Sequence, residues 1–519
     1  MEFFWRLMGR MTQVFAVSLS LPFLAACLFR ELPSAGALLA TLIISALVAY
    51  EFMLRSRRSD RRGQMSIREG AFFMTAIWLV LGALGMLPYL LAGLTADPAA
   101  AFFTSVSALT TTGISGLGLP RADWPQALLL WHGVMSWLGG LGVVIILVSV
   151  LPQVSGCFGL TLSARQMVFF SPVWGKMREF LEQGVRIYAA MTAAILAAFL
   201  LAGLTPWRAL FMAFITISSG GDIDTFALAL GCDYWPAMPA LTGAEGAALA
   251  AEAARLLADS LPEPPLALVL ASFWAMLFGS VNFLLFCKAW ERRSPRLLLM
   301  DTELRVFLLI VLLGTVLLAV PLCTAGERGL YGAGGGLGAA LFQSMSFLST
   351  SGLITAPVWL WTDFERFVLF LLVFVGGCIG SATGGLKVMR LIVLARLADV
   401  GLETAQHPRA VTVVKVDGLP IEEKITGRIL AFFFIYIAVF ILAVLVLSLA
   451  LPTLTDALRL SAACLTSTGA AAALGLIPAA ELPGWAKLFC TLLMTAGRVE
   501  IFSLLVVIGI VIRTAREHW

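Results

Sequence analysis

Four short stretches of this 519-residue chain place hydroxyls before a bare backbone: Thr111-Thr112-Gly113, Ser218-Ser219-Gly220, Thr350-Ser351-Gly352 and Ser467-Thr468-Gly469. None pairs a nucleophile with a base, and none carries a carboxylate. What they offer is oxygen, from main-chain carbonyls and side-chain hydroxyls, and such oxygens can replace the water around a monovalent cation. Glycine suits the task because aiming successive carbonyls one way needs an extended or left-handed backbone. One Ser/Thr-Gly turn alone would carry no weight, since a polar turn or a close helix contact gives the same letters. Here the stretch recurs four times, at the ends of "AAFFTSVSALTTTG", "WRALFMAFITISSG", "AALFQSMSFLSTSG" and "DALRLSAACLTSTG". Each preceding apolar run holds about ten residues, against the roughly 20 that span a bilayer. The runs therefore read as re-entrant half-helices, and the loops as four quarters of one selectivity filter.

A second constellation is "GGCIGSATGGLK", with Gly376, Gly377, Gly380, Ser381, Thr383, Gly384, Gly385 and Lys387. Each glycine costs a helix about 1 kcal/mol against alanine, so a break after the apolar run 364–375 is expected. Gly376, Gly380 and Gly384 also fit a small-residue packing stripe, but glycine pairs at both ends favour a loop. A phosphate cradle does not fit, because Lys387 follows Leu386 and no Ser or Thr comes next. Nor does "GGGLGA" at 334–339 make a dinucleotide fingerprint, since it precedes a re-entrant helix rather than opening a βαβ unit. Arg498 sits in the apolar run 485–512, where a charge is expensive and usually faces a wet cavity or a partner. It is expected to place positive charge in the pore beside the glycine loop; a structural ion pair or snorkelling is the competing reading. Glu500, two residues on, points elsewhere. His132 reads as a packing residue. Asp222 and Asp224 could gather cations at an outer mouth or lie in a solvated loop.

These residues need a membrane scaffold. The chain is 60% hydrophobic and 13% charged, with a mean hydropathy of +0.95. Long apolar runs recur at 35–54, 71–93, 127–151, 187–204, 266–287, 304–323, 364–375, 427–451 and 485–512. The class is an all-α integral membrane protein, with four helix–pore-helix–helix repeats around a central pore and an N-terminal helix pair. The expected boundaries are 1–68 for that pair, then repeats at 69–186, 187–300, 301–426 and 427–519. Basic clusters after the second run, near 288–305 and at 387–428 mark cytoplasmic loops, and the acidic 222–264 segment an outside one. The net charge of +4 is spread over such loops, so no nucleic-acid partner is expected. Eight cysteines without paired spacing read as small core hydrophobes. "LAAC", ending at Cys27, resembles a lipoprotein site, but an uncleaved first helix is the preferred reading. Three histidines and no carboxylate pair at membrane depth argue against an enzyme.

With these residues quoted, the chain resembles the Trk/Ktr/HKT superfamily of potassium transporters, most closely its bacterial TrkH branch. The likeness runs through "QALLLWHGVMSWLGGLGVVIILVSVLP", "GGCIGSATGGLKVMR" (376–390), "HPRAVTVVKVDG" (407–418) and "TAGRVEIFSLLV" (495–506). It departs at Gly221-Asp222-Ile223-Asp224 and at the asparagine-free fourth loop, "TSTGAAAALG". The resemblance implies K+ uptake across the bacterial inner membrane, K+ bound at the filter residues and no cofactor in the chain. It implies a homodimer in membrane lipid, gated by the 376–385 loop and by a cytosolic TrkA-like nucleotide-binding subunit. A K+/H+ or K+/Na+ symporter is the alternative on the same fold. Asp417-Gly418, between alternating apolar and polar residues, predicts a hairpin that such a subunit could dock on.

Overall fold

The computed structural model describes residues 2–57, 67–118, 121–149, 177–221, 225–230, 265–324, 333–356, 358–407, 413–416, 419–474, 477, 479–499 and 501–517. Asp222, Asp224, most of 222–264, Asp417, Gly418 and Glu500 lie outside them.

The expected architecture is present. An N-terminal pair, Phe4–Leu28 and Leu32–Ser56, is long and apolar enough to cross a membrane. Four units of helix, shorter helix and helix follow. They are Ile67–Gly85, Pro98–Leu109 and Gln126–Ser149; Met177–Leu201, Pro206–Ser218 and Leu266–Ser280; Thr302–Thr324, Ala333–Leu348 and Asp363–Val375; and Glu423–Leu447, Leu454–Thr466 and Gly484–Val499. Six described helices meet the length and hydropathy of a membrane span, and the chain is a multi-pass membrane protein. Their outer faces are studded with exposed Leu, Ile, Phe and Val, as lipid-facing helices require.

Local chemistry sets where the short helices start. Asp97 caps Pro98–Leu109 by accepting from the Ala99 N–H at 2.9 Å, and Thr453 caps Leu454–Thr466 through the Asp456 N–H at 3.1 Å. Proline stands at the first turn of both Pro98–Leu109 and Pro206–Ser218, where its missing N–H leaves no bond unmade. The third short helix differs from expectation. It takes in the glycine-rich "GGGLGA" and runs for 16 residues. A methyl at Gly336 would meet Cys323 Sγ at an ordinary contact distance of 3.4 Å, so packing there does not demand glycine.

Two contacts join the parts. The Glu31 carboxylate accepts from the N–H groups of Gln126 and Ala127, at 2.7 and 3.1 Å, tying the N-terminal pair to the first repeat. Asp97 and Lys487 pair at 3.2 Å and close the ring between first and fourth repeats. Late in the third repeat, after Val388–Gln406, Lys415–Val416 pairs antiparallel with Leu419–Pro420, Val416 opposite Leu419. That register leaves the two residues 417 and 418 as the connection, the length the Asp-Gly signal called for. Of the cysteines among the described residues, Cys287, Cys378, Cys464 and Cys490 are buried and unpaired, and the helix Ser20–Leu28 runs through exposed Cys27.

Candidate ion path

The four short helices end alike. Thr111, Ser219, Thr350 and Ser467 all take a left-handed backbone, with φ of 58°, 60°, 54° and 55°. The next N–H then reaches back five residues: Thr112 to Ser107 O (2.8 Å), Gly220 to Ile215 O (3.0 Å), Ser351 to Ser346 O (3.1 Å) and Thr468 to Ala463 O (2.9 Å). This is a Schellman-type ending built on hydroxyl residues rather than glycine. A non-glycine residue there costs about 1–2 kcal/mol, and four matched instances mark a shared demand on the backbone.

That geometry fixes the equivalences and corrects one. Thr112, Gly220, Ser351 and Thr468 share one position; Gly113, Gly221, Gly352 and Gly469 share the next. Aligning the four glycines by letter pairs Gly220 with Gly113, but the structure pairs Gly221 with it. The fourth quarter also departs from the others. Gly113 and Gly352 have φ of 88° and 70°, whereas Gly469 is right-handed and leads into the helix Ala470–Ala473. Four alanines in a row are strong helix formers, which is why that loop rewinds.

The loops meet around one axis. A methyl on Gly113 would strike the Gly221 and Gly220 carbonyl oxygens, the latter at 3.0 Å. On Gly352 it would strike Gly221 O at 2.7 Å and approach Ala470 N at 3.4 Å. All eight hydroxyl residues expected in the filter are buried: Thr111, Thr112, Ser218, Ser219, Thr350, Ser351, Ser467 and Thr468. The hydroxyls of Thr111, Ser219 and Ser467 have no hydrogen-bond partner, while Thr350 Oγ1 accepts the Gly384 N–H at 2.8 Å. Every short helix directs its C-terminus here, and each brings about half a negative charge. No group of three or more His, Cys, Asp or Glu gathers among the described residues. Among the described residues, the site offers a cation dipoles and hydroxyls.

Below the loops, the helix Asp363–Val375 stops at Gly376 (φ 73°), and Val388–Gln406 begins after Lys387. The segment between is non-helical. It folds on itself: Thr383 Oγ1 accepts from the Gly377 N–H at 3.1 Å and lies 2.7 Å from Ser381 Oγ. Lys387 Nζ curls back to the Thr383 carbonyl and, at 3.0 Å, to its hydroxyl. Its outward bonds reach three repeats. Cys378 N–H and Ala382 N–H donate to Ser280 O and Gly279 O, at 3.0 and 3.1 Å. Gly384 N–H meets Thr350, and a methyl on Gly384 would strike the Thr466 carbonyl. Arg498, buried, donates to Ala382 O at 2.6 Å and to Gly139 O at 3.1 Å. The guanidinium thus bridges one loop carbonyl to the first repeat rather than holding several loop carbonyls. His132 packs among aromatics, Nδ1 3.4 Å from Tyr89 Oη and the ring edge-on to Trp124.

Three participants escaped sequence reasoning. The buried Glu303 carboxylate accepts from the N–H groups of Ile379 (2.7 Å) and Met389 (3.2 Å), and so ties the glycine segment to the start of the helix that follows it. Arg121, buried, donates from Nη2 to the Gly113 carbonyl. Ser136 lies against the second loop. Glu303 opens a helix as any first-turn acid does, and no spacing singles out the other two.

The comparisons with known proteins fall on this same frame. The family model for TrkH, described as cation transport protein, matches residues 263–516. The chain is 29% identical to the Trk system potassium uptake protein TrkH of Vibrio parahaemolyticus, over 97% of both chains. To the protein of the same name from Escherichia coli K12 it is 28% identical, over 96% of this chain and 97% of the other. The crystal structure of the potassium transporter TrkH from Vibrio parahaemolyticus superposes with a TM-score of 0.79 and 27% identity, covering 98% of each chain. Over nearly its whole length the chain is similar to TrkH potassium uptake proteins. Its relatives are transport proteins rather than enzymes, and the likeness to TrkH takes in the N-terminal pair as well as all four repeats.

Proposed function

We propose that this chain carries K+ into the cell across the bacterial inner membrane, through a channel-like pore whose filter is formed by the four converging loops. One observation carries the reading: four left-handed hydroxyl residues end four short helices, and the following backbone meets around one axis. Carbonyl and hydroxyl oxygens there stand in for an ion's hydration shell. The membrane potential supplies the drive, about 2.3 kcal/mol per charge per 100 mV. The glycine segment 376–385 lies under the filter as a gate, held by Arg498, Glu303 and Thr350. The basic loops face the cytoplasm, and the chain works as a homodimer with a TrkA-like nucleotide-binding subunit. The relatives named Trk system potassium uptake proteins support the ion assignment.

Purified protein in liposomes tests this with K+, Rb+, Na+ and Li+ in turn. K+ and Rb+ flux well above Na+ and Li+ is expected, linear in driving force. A flux that needs an opposing or accompanying H+ or Na+ gradient would replace the pore with a symporter.

A further inference from the structure

The second loop lacks a hydroxyl that the other three share. In the first, Thr110 Oγ1 lies 3.0 Å from Thr112 Oγ1; in the third, Ser349 Oγ lies 3.0 Å from Ser351 Oγ; in the fourth, Thr466 Oγ1 lies 3.1 Å from Thr468 Oγ1. Each pair ties the last helical turn to the residue that follows the left-handed position. The first member also bonds back into its helix, through Val106 O, Ser346 O and Ala462 O. In the second loop Ser218 is the first member and bonds back to Phe214 O at 2.8 Å. The place of the second member is Gly220, which has no side chain.

A hydroxyl is nevertheless there. Ser136 Oγ, from the helix Gln126–Ser149 of the first repeat, lies 2.8 Å from Ser218 Oγ. A methyl built on Gly220 would collide with that same Ser136 Oγ and come within 3.3 Å of Ser218 Oγ. Ser136 therefore fills the volume that a serine side chain at 220 would fill. Both serines are fully buried. We infer that Ser136 is a positioning residue of the ion path, supplying from the neighbouring repeat the hydroxyl brace that the second loop does not encode. Glycine at 220 and serine at 136 are one solution to one geometric demand. The small residue at 220 makes room for the borrowed hydroxyl, and the borrowed hydroxyl holds Ser218 as its counterparts hold Thr110, Ser349 and Thr466. The arrangement also couples first and second repeats at the filter, where the other quarters brace themselves.

This inference rests on the loops being the filter, and the test separates the two. Parent, Ser136→Ala, Gly220→Ser and the double variant Ser136→Gly/Gly220→Ser are reconstituted, and K+ and Na+ flux are measured. Ser136→Ala loses the brace and Gly220→Ser forces a clash. Each should lower the K+/Na+ flux ratio by roughly fivefold, the scale of one buried hydrogen bond. The double variant moves the hydroxyl back onto the loop and should return the ratio to within about twofold of the parent. Pairing Ser136→Gly with Gly221→Ser should give no recovery, because Gly221 faces Ser351 O and Leu353 instead. If a single variant yields no monodisperse protein, recovery of folded protein in the double variant is the readout. A parental flux ratio in Ser136→Ala, or a double variant no better than the worse single one, overturns the inference. Gly113→Ser and Gly352→Ser serve as controls: if they too leave the ratio unchanged, the filter reading fails; if they lower it, only the role of Ser136 does.

Discussion

At the scale of single residues, the proposed filter asks for hydroxyl residues in a conformation that L side chains resist, followed by glycine where two loops touch. Gly113 is the sharpest case. Its φ of 88° and its contact with Gly221 O exclude a side chain on two separate grounds. Gly113→Ser should therefore rotate or displace that quarter and admit more Na+, lowering the K+/Na+ flux ratio about tenfold if roughly 1.4 kcal/mol of discrimination is lost. Parental ratios in Gly113→Ser, Gly221→Ser, Gly352→Ser and Gly469→Ser alike would remove these loops from selectivity. The sequence revealed that such a position exists four times, because hydroxyl-rich letters before glycine survive in the one-dimensional record. It did not reveal which of Gly220 and Gly221 is equivalent to Gly113. Two adjacent glycines look the same in a string, and only the five-residue reach of the Gly220 N–H to Ile215 O separates them. Ser136 was illegible because its contact is with Ser218, far along the chain, and Arg121 because an arginine before a helix has many commoner uses than reaching back to the Gly113 carbonyl.

At the scale of elements, the break after Val375 was readable and its anchoring was not. Glycine density predicts a helix stop; which neighbours catch the freed N–H and C=O groups depends on two other repeats, the second and the fourth, as well as its own. Breaks also occur in the second and fourth repeats, where Leu266–Ser280 and Leu285–Glu291 meet at 96° and Gly484–Val499 and Ser503–Ile510 at 119°. Close approach accompanies them. Methyls at Gly139, Gly279 and Gly497 would each strike the carbonyl at a short helix's end, on Leu109, Ile217 and Leu465. The residue after each of these glycines is Gly140, Ser280 or Arg498, so one repeat puts a guanidinium where the others keep a small side chain. If the glycine segment is the gate, Arg498→Ala should raise flux in the absence of any partner, by freeing Ala382 O and deleting a positive charge from the path. Deleting part of 377–384 should raise it too. Acting on one barrier, the two changes should not multiply in the double variant. Arg498→Ala that folds but conducts less than the parent would make the residue a structural tie between Ala382 and Gly139. Independent multiplication would place charge and segment at separate barriers.

At the scale of the whole molecule, four repeats must close into a ring, and if the glycine segment is the proposed gate, something outside must be able to move it. Closure places the Lys487 ammonium, nearly buried, against half-exposed Asp97. Partial desolvation raises the Asp97 carboxyl, but hydrogen bonds from the Ala99 N–H and from Lys487 outweigh it and hold the group below the ordinary carboxylate value. A depressed folded-state value gives stability that is present above the unfolded value and lost as pH falls through the folded one. Thermal unfolding of Asp97→Asn should therefore differ from the parent at neutral pH, by about 1 kcal/mol or less, and converge with it in acid. The route inward is a small apolar cluster. Val414, Val416 and Ile421 of the two-stranded hairpin pack with Met389, Val393 and Ile429, and with Ile379 inside the glycine segment itself. Val414 and Ile421 are also linked directly, the Ile421 N–H donating to Val414 O at 2.9 Å. A subunit that grips the exposed edge of this hairpin would thus push on the gate through packed side chains, with no separate linker. The expected outcome is a split between binding and control. Val416→Ala with Ile421→Ala leaves the exposed Lys415 and Pro420 in place, so a nucleotide-binding partner should still be captured in pull-down. Its nucleotide should no longer change K+ flux, because the cluster that carries the push has been hollowed. Replacing 410–421 by a Gly/Ser linker should abolish both. Nucleotide control that survives the two alanines would mean that the partner acts on another cytoplasmic surface, and capture that survives the linker would move the dock itself.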